Sequence, residues 1–363
     1  MLADRPDIAA FQALAAATAP APGLSGSWRV ARAPQGHIRP EDFAWVESPI
    51  PQPGPDEVLL KTLYLGLAPV MRMYMSGVGV AGEAPLKPGD VIHGRGVAQV
   101  VQSRHPDWPE GTVVQGQLGW QQYKVSAMTP AEKFRRCRDF GLPAQLHCKV
   151  LGMTGLSAWA GLYFVAPPRA GDAMLVSGAA GGVGHLVLQL AAHDIGAQVL
   201  GVAGGSEKCA LVRELGASAA IDYQAGDFAG QLALHFPHGI DHYFDNVGGA
   251  MLAAVLDRLA PRARILLCGS ISEYADGAFP LTNYTRLRST DASMHGFFVY
   301  NHLHRWDEVM DAMAAHIKAG KVQPVEDVTP GIQAMPLGLA RLYTGGNRGT
   351  ALCQVAGEPK EWR

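Results

Sequence analysis

Cysteine is scarce in this chain of 363 residues: there are five, and none precedes Cys137. A structural zinc site needs four closely spaced thiolates, and the chain has no Cys-x-x-Cys pair. A catalytic zinc is equally unexpected, because His37, His93 and His105 are dispersed and lack partners at ligand spacing. Five scattered cysteines also differ from a secreted disulfide framework. The sequence therefore predicts no metal site and a cytoplasmic location.

The chain has little net charge, since 30 Lys and Arg residues stand against 32 Asp and Glu residues. This balance favours neither a nucleic acid nor a membrane as a partner. Residues 173–192 lack every charged residue type, but their clustered glycines suit a strand, a turn and a buried helix better than a membrane span. Residues 1–27 lack the basic start and apolar core of a signal peptide. For this segment two alternatives stay open, an arm packed on the domain and a loose tail.

The pattern of predicted secondary structure changes near residue 150. Residues 28–150 contain short apolar runs broken by frequent Pro and Gly, a pattern typical of a small β barrel or sandwich. In residues 151–320, strands alternate with helix-length segments, which predicts a doubly wound parallel sheet with helices on both faces. Residues 321–363 lose that rhythm and end in a strand-like run, so we expect them to complete the first domain. The predicted fold class is α/β.

The alternating region divides into individual elements. The predicted strands are residues 173–177, 198–203, 219–221, 242–244, 264–268 and 295–300. The predicted helices are residues 182–195, 206–215, 250–259 and 305–319.

The sharpest local signal is a glycine-rich loop, Gly-Ala-Ala-Gly-Gly-Val-Gly, at residues 178–184. It follows a predicted buried strand and opens a predicted helix. Glycines there let the chain turn tightly and let the backbone approach a pyrophosphate, while the helix N-terminus offers unpaired N–H groups. A plain glycine-rich turn is the alternative, and the strand–turn–helix context favours dinucleotide binding. The candidate cofactor residues here are Gly178, Ala180, Gly181, Gly182, Val183 and Gly184.

The end of the second predicted strand indicates which dinucleotide is bound. An NAD site usually places an acid about 20 residues after the glycine motif to hold the ribose 2′-hydroxyl. Here residues 203–206 are Ala-Gly-Gly-Ser, without an acid, and Lys208 follows. An uncharged turn followed by a cation suits a 2′-phosphate, and an ordinary solvated role for Lys208 is the alternative. The sequence therefore predicts NADPH as the cofactor.

Several stretches together resemble one protein family. Residues 203–208, 243–249, 268–274 and 346–349 are similar, in the same order, to motifs of the zinc-free NADPH-dependent alkenal and alkenone reductases. These enzymes are a branch of the medium-chain dehydrogenase/reductase superfamily, and the resemblance covers residues 42–355. It implies a Rossmann domain with a β-rich GroES-like domain. It also implies hydride transfer from NADPH to the C=C bond of an α,β-unsaturated ketone or aldehyde, without zinc.

The resemblance implies roles for individual cofactor residues. In the family, the residues that match Lys208 and Tyr223 hold the 2′-phosphate end of NADPH, at the turn that contains the match to Gly204. The residue that matches Asn246 lies by the cofactor after the fourth strand. The residue that matches Asn347 approaches the cofactor from the other domain.

The substrate side departs from the family pattern. The residue that matches Tyr274 lies near the substrate and is a proposed hydrogen-bond or proton donor. In the first domain, however, Ala68 and Val70 replace the Asp and Tyr of the family's Asp-Pro-Tyr-Met-Arg motif. The cofactor site therefore resembles the family more closely than the substrate pocket does.

Three functions stay open on the sequence alone. The first is reduction of an enone or enal. The second is reduction of a quinone, which needs less help from a protein acid. The third is NADPH binding by a sensor or structural protein whose pocket has decayed. Relatives in the superfamily often dimerise through the edge of the Rossmann sheet, so we expect a homodimer through residues 295–300.

Overall fold

The chain folds into two units, and the computed structural model describes residues 5–77, 79, 83–274, 277–359 and 362. The first unit comprises Met1–Lys149, Asp327–Asn347 and Ala351–Arg363. The second comprises Val150–Glu326 and Arg348–Thr350.

The strands, in chain order, are β1 (Leu24–Val30), β2 (Phe43–Pro49), β3 (Val58–Gly66), β4 (Arg95–Ser103), β5 (Val113–Gln117), β6 (Tyr123–Ser126), β7 (Arg135–Arg136), β8 (Ala173–Val176), β9 (Gln198–Ala203), β10 (Ala219–Asp222), β11 (Ile240–Asp245), β12 (Leu259–Leu267), β13 (Ser293–Gly296), β14 (Glu326–Pro330) and β15 (Thr350–Gln354).

The helices are α1 (Ile8–Ala17), α2 (Met71–Tyr74), α3 (Met153–Trp159), α4 (Gly184–Leu190), α5 (Ser206–Glu214), α6 (Phe228–His235), α7 (Gly249–Leu256), α8 (Arg286–Thr290), α9 (Trp306–Lys318) and α10 (Met335–Thr344). α3 and α4 continue into π-helical turns at Ala160–Val165 and Ala191–Ile195. Short 3-10 helices lie at Pro40–Asp42, Pro130–Glu132, Ala144–Cys148, Ile271–Glu273, Val299–Arg305 and Ile332–Ala334.

The described part of the second unit contains a six-stranded sheet in the order β10-β9-β8-β11-β12-β13. Its neighbouring strands pair in parallel. The chain order reverses between β8 and β11, which is the switch point of a doubly wound sheet. Central positions are fully buried, as expected where helices cover both faces: Leu175 pairs with Tyr243, and neither is exposed. The predicted α/β fold class is confirmed.

The predicted elements of this sheet differ from the observed ones mainly at their ends. The predicted strand 295–300 is wrong in its bounds, because β13 ends at Gly296. Gly296 pairs with Leu267, the last residue of β12, so the residues that follow have no neighbouring strand to continue the ladder. α6 and α8 were not predicted, since both are short and neither shows a clear apolar stripe.

The C-terminal tail divides between the units, which the sequence did not predict. Residues 321–326 and Arg348–Thr350 belong to the second unit, not to the first. The N–H of Gly349 donates to the carbonyl of Ala180 at 2.7 Å, and the N–H of Thr350 donates to the carbonyl of Val325 at 2.8 Å. Backbone groups removed from water need such partners, so these bonds hold the short segment on the second unit.

The first unit is β-rich, as predicted. Its main sheet has the order β14-β15-β3-β4-β5-β7, with β6 paired to β3, and β1 pairs with β2 in a separate ribbon. Aromatic rings fill the core: Phe43 stacks on Trp120 with ring centroids 5.9 Å apart and meets Phe11 of α1 edge-on. The Asp7 side chain caps α1 by accepting two backbone N–H groups. Ile8–Ala17 therefore forms an arm that packs on the domain, which is the first of the two alternatives for the N-terminal segment. Residues 1–4 lie outside the described residues.

Candidate dinucleotide-binding site

The candidate site residues follow successive strands of the parallel sheet. Gly178 follows β8, Gly204 follows β9, Tyr223 follows β10, Asn246 follows β11 and Tyr274 follows β12. The carboxyl ends of parallel strands lie along one edge of a sheet, and ligands of open α/β sheets bind there, at the switch point. The topology thus places residues that are distant in sequence along one edge.

The glycine-rich loop excludes side chains because backbones meet closely within it. Gly178 has a φ of +58°, a conformation that residues with a side chain rarely adopt. A Cβ on Gly184 would lie 2.2 Å from the carbonyl oxygen of Gly178, and one on Gly181 would lie 3.0 Å from the same atom. α4 therefore begins directly against the end of β8, with its first N–H groups at the sheet edge. This donor set, in a cradle that side chains would fill, fits a pyrophosphate.

His185, the second residue of α4, braces this loop from inside. It is fully buried, and its Nδ1 lies 2.9 Å from the carbonyl oxygen of Gly181. Its Nε2 accepts the N–H of Val325 at 3.3 Å. Burial lowers the pKa of His185 to about 4, so the ring is neutral at pH 7. A proton on Nδ1 satisfies both hydrogen bonds. A histidine at the start of an otherwise apolar helix was the signal in the sequence.

The turn after β9 has donors suited to a phosphate monoester. The N-cap residue of α5 is Gly205, which has no side chain to cover the first N–H groups of the helix. Lys208 lies in the first turn of α5. The Tyr223 ring covers Gly204, since a Cβ on this glycine would lie 2.9 Å from the Tyr223 hydroxyl. A helix N-terminus, an ammonium and a phenol together fit a 2′-phosphate.

An acid that the sequence did not indicate also reaches this turn. Oδ1 of Asp222 accepts the N–H groups of Gly205 and Gln224, each at 2.9 Å. Residues 203–206 themselves contain no acid. The reason is topological: β10 pairs in parallel with β9, so that Asp222 lies opposite Ala203. A pattern within one segment cannot reveal an acid supplied by the next strand.

Asp245, the last residue of β11, organises the loop that carries Asn246. Its buried Oδ1 accepts four hydrogen bonds of 2.8 to 3.0 Å, from Ser177, Tyr243, Val247 and Gly248. Asn246 donates its backbone N–H to the Ser177 hydroxyl and its side-chain N–H to the Ser177 carbonyl, both at 2.8 Å. The ends of β8 and β11 are thereby joined, and the Asn246 amide is fixed beside the glycine-rich loop.

Tyr274 is half-buried at the end of the Ile271–Glu273 turn. A Cβ on Gly269 would lie 3.4 Å from the Asn246 carbonyl oxygen and 3.7 Å from the Tyr274 hydroxyl, so these two groups flank the same glycine. Burial raises the pKa of Tyr274, although hydrogen bonds with Ser270 oppose the rise. Burial, with the neighbouring Asp245 carboxylate, raises the pKa of the Cys268 thiol to about 12. Because its pKa is raised, the Tyr274 phenol is protonated at neutral pH and can donate a hydrogen bond.

The second unit contains every predicted site residue except one. Asn347 belongs to the first unit and is followed directly by Arg348–Thr350 of the second. The polar residues that sequence reasoning missed are His185, Asp222, Asp245 and Arg348. In the sequence, Asp245 and Arg348 stand out only as members of the family-like stretches 243–249 and 346–349.

Two family models match the chain, one for each unit. A model described as the N-terminal domain of oxidoreductases matches residues 26–134, and one described as zinc-binding dehydrogenase matches residues 182–315. The chain is 36% identical over 308 residues to the NADP(+)-dependent 2-alkenal reductase of Nicotiana tabacum, covering 84% of this chain and 89% of that protein. It is also 36% identical over 340 residues to the NADPH-dependent curcumin reductase of Escherichia coli, covering 91% and 97%.

The chain belongs to the zinc-free alkenal and alkenone reductase branch of the medium-chain dehydrogenase/reductase superfamily. Among solved structures, this reductase is similar to CurA from Vibrio vulnificus in complex with NADPH. The TM-score is 0.85 and the identity 33%, over 91% of this chain and 99% of that one. The predicted family is confirmed.

In the described part of this reductase, no group of three or more His, Cys, Asp or Glu side chains could hold a metal ion. Within the same residues, no helix is both long enough and apolar enough to cross a membrane.

Proposed function

We propose that this chain reduces the C=C bond of α,β-unsaturated ketones or aldehydes and uses NADPH as the reductant. The observation that carries the proposal is the glycine-lined cradle at the end of β8, with Lys208 and Tyr223 at the neighbouring turn. The chain is 36% identical to a 2-alkenal reductase that is named as NADP(+)-dependent, which supports both the reaction class and the cofactor.

The chain's residues bind and orient, and the cofactor provides the reducing power. Bound NADPH supplies the hydride for the β-carbon of the substrate. The backbone N–H groups of residues 178–184 would hold the pyrophosphate, Lys208 and Tyr223 would hold the 2′-phosphate, and the Asn246 amide would contact the bound cofactor. Reduction of an enone builds negative charge on the carbonyl oxygen of the substrate. Tyr274 donates a hydrogen bond to that oxygen and stabilises the charge more than it stabilises the ground state.

We expect purified protein to oxidise NADPH, and NADH more slowly, in the presence of enones or enals, followed by NADPH absorbance. Tyr274→Phe should lower kcat by about tenfold to a hundredfold, because one donor to the developing charge is lost, while the Kd for NADPH stays unchanged. Tyr163→Phe, which removes a hydroxyl bonded to Asp194, is the matched control and should keep full activity. Unchanged turnover of Tyr274→Phe on every active enone would remove the donor role.

Quinone reduction is the second candidate function, and Ala68 and Val70 are the observation that favours it. These residues leave the first unit without the acid and the aromatic ring of the family motif. Activity confined to quinones in the same assay would replace the enone proposal. Tight NADPH binding without any oxidation would favour a sensor or structural protein.

We further propose that the protein is a cytoplasmic homodimer. The five free cysteines support a reducing compartment. β13 ends the sheet order of the second unit and is an edge on which a second copy could add its own strand. We expect sedimentation equilibrium to give twice the chain mass of 38.6 kDa, and a mass of 38.6 kDa would rule out the dimer.

A further inference from the structure

Arg348 begins a segment of tail that is fixed on the second unit. The next residue, Gly349, forms a parallel bridge with Gly181 in the glycine-rich loop. Thr350 is fully buried, and its N–H and hydroxyl both donate to the carbonyl of Val325, at 2.8 and 3.0 Å. These bonds fix the backbone of Arg348 beside the pyrophosphate cradle.

The guanidinium of Arg348 ends at the other part of the candidate site. Its Nη2 is paired with Oε2 of Glu207, in the first turn of α5. Glu207 directly precedes Lys208 and lies two residues after Gly205. One side chain therefore extends from the pyrophosphate cradle to the turn that carries Lys208.

The charges at this turn require a second cation if the turn is to favour a 2′-phosphate. Two carboxylates lie there, those of Glu207 and Asp222, beside the ammonium of Lys208. A phosphate monoester carries a charge of about −1.5 to −2 at pH 7 and is repelled by neighbouring carboxylates. Arg348 offsets this repulsion, and its planar guanidinium can bind two phosphate oxygens at once.

The ion pair between Arg348 and Glu207 is one that an incoming anion can replace. Both side chains are more than half exposed, at 55% and 79%. Exposed pairs contribute little to stability, so exchange of the carboxylate for a more highly charged phosphate costs little.

We propose that Arg348 is a specificity-determining residue that binds the 2′-phosphate of NADPH together with Lys208. Glu207, which is paired with Arg348, then competes with the 2′-phosphate for this guanidinium. This inference rests on the proposed NADPH-dependent function. Arg348 is then a residue that discriminates between NADPH and NADH.

The test is a fluorescence titration of the full chain with NADPH and, separately, with NADH. Arg348→Met should weaken NADPH binding by about tenfold or more, because a charge-assisted hydrogen bond is lost, and change NADH binding by less than about twofold. The NADPH affinity of Arg348→Lys should lie between those of the wild type and Arg348→Met. Glu207→Gln should tighten NADPH binding by removing the competing carboxylate. Raising the salt concentration should narrow the difference between wild type and Arg348→Met.

Arg286→Met is the matched control, because Arg286 forms a similarly exposed ion pair with Asp257 on the same unit. It should leave both affinities unchanged. Equal losses for NADPH and NADH in Arg348→Met, or no loss for either, would overturn the inference. Failure of the proposed function is a separate result, seen in wild type as no oxidation of NADPH by any enone, whereas this comparison uses binding alone.

Discussion

Gly184→Ala is expected to weaken NADPH binding at least ~10-fold and to lower the free energy of unfolding by about 1–3 kcal/mol. The new Cβ would lie 2.2 Å from the carbonyl oxygen of Gly178, 2.8 Å from its carbonyl carbon and 2.9 Å from Cα of Ala179. All three are backbone atoms, which cannot rotate away as a flexible side chain can. α4 must therefore move away from the end of β8, and its first N–H groups move with it. Urea unfolding and NADPH titration measure the two effects.

Gly182→Ala is the control for this prediction, because it adds the same methyl group two residues earlier. The atoms nearest to its Cβ would be the methyl carbons of Thr350 and Thr154, at 3.6 and 3.7 Å, and Cα of Thr350 at 3.8 Å. These are ordinary contact distances, so the free energy of unfolding should stay close to that of the wild type. If the two variants behave alike, close approach of the backbones is not what requires a glycine at position 184.

The second large effect is a steep loss of stability between pH 6.5 and pH 4. Burial lowers the pKa of three histidines, His147, His185 and His242, from 6.5 to about 4. In the unfolded chain these rings accept protons below pH 6.5, while in the folded chain they do so only near pH 4. Acid therefore favours the unfolded state, and stability falls as the pH drops through this window. Over this window, each of the three histidines lowers the free energy of unfolding by on the order of 3 kcal/mol. This is a large share of the usual stability of a domain.

Urea unfolding from pH 7.5 to pH 4.5 measures this slope, which should approach three protons taken up on unfolding near pH 5. His147→Phe should remove one of them. Its ring packs against those of Phe140 and Trp362, at centroid distances of 5.8 and 5.6 Å, so an apolar ring of similar shape fits the same space. His238→Gln, at an exposed position, should leave the slope unchanged. An unaltered slope in His147→Phe would contradict the assignment.

The sequence predicted the second unit well because its signals are local. A buried strand, a glycine-rich turn and a helix follow one another within residues 173–195, and each has its own periodicity or composition. The parallel order of the sheet follows from repeated alternation of strand and helix. The ends of elements were less predictable, as β13 shows, because a strand ends where its neighbour ends and not where its own apolar residues stop.

The site was predicted less completely, because several of its contacts join residues distant in sequence. Asp222 reaches the turn after β9 through strand pairing, and Arg348 reaches Glu207 through the fold of the tail. The two members of each pair are far apart in sequence, so a local sequence motif cannot identify either contact. The roles of Lys208, Asn246 and Tyr274 stay predictions that the proposed binding and kinetic experiments test.

The return of the tail to the glycine-rich loop also affects how this nucleotide-binding unit can be inherited. A fragment ending at residue 326 would lack Gly349, which pairs with Ala180, and Thr350, which covers Val325. Such a fragment would leave these carbonyls without their partners, right beside the cradle. Recombination that exchanged residues 150–326 alone would therefore transfer an incomplete unit. We therefore expect the two units to be inherited together, because Gly349 and Thr350 complete the surroundings of the glycine-rich loop at residues 178–184.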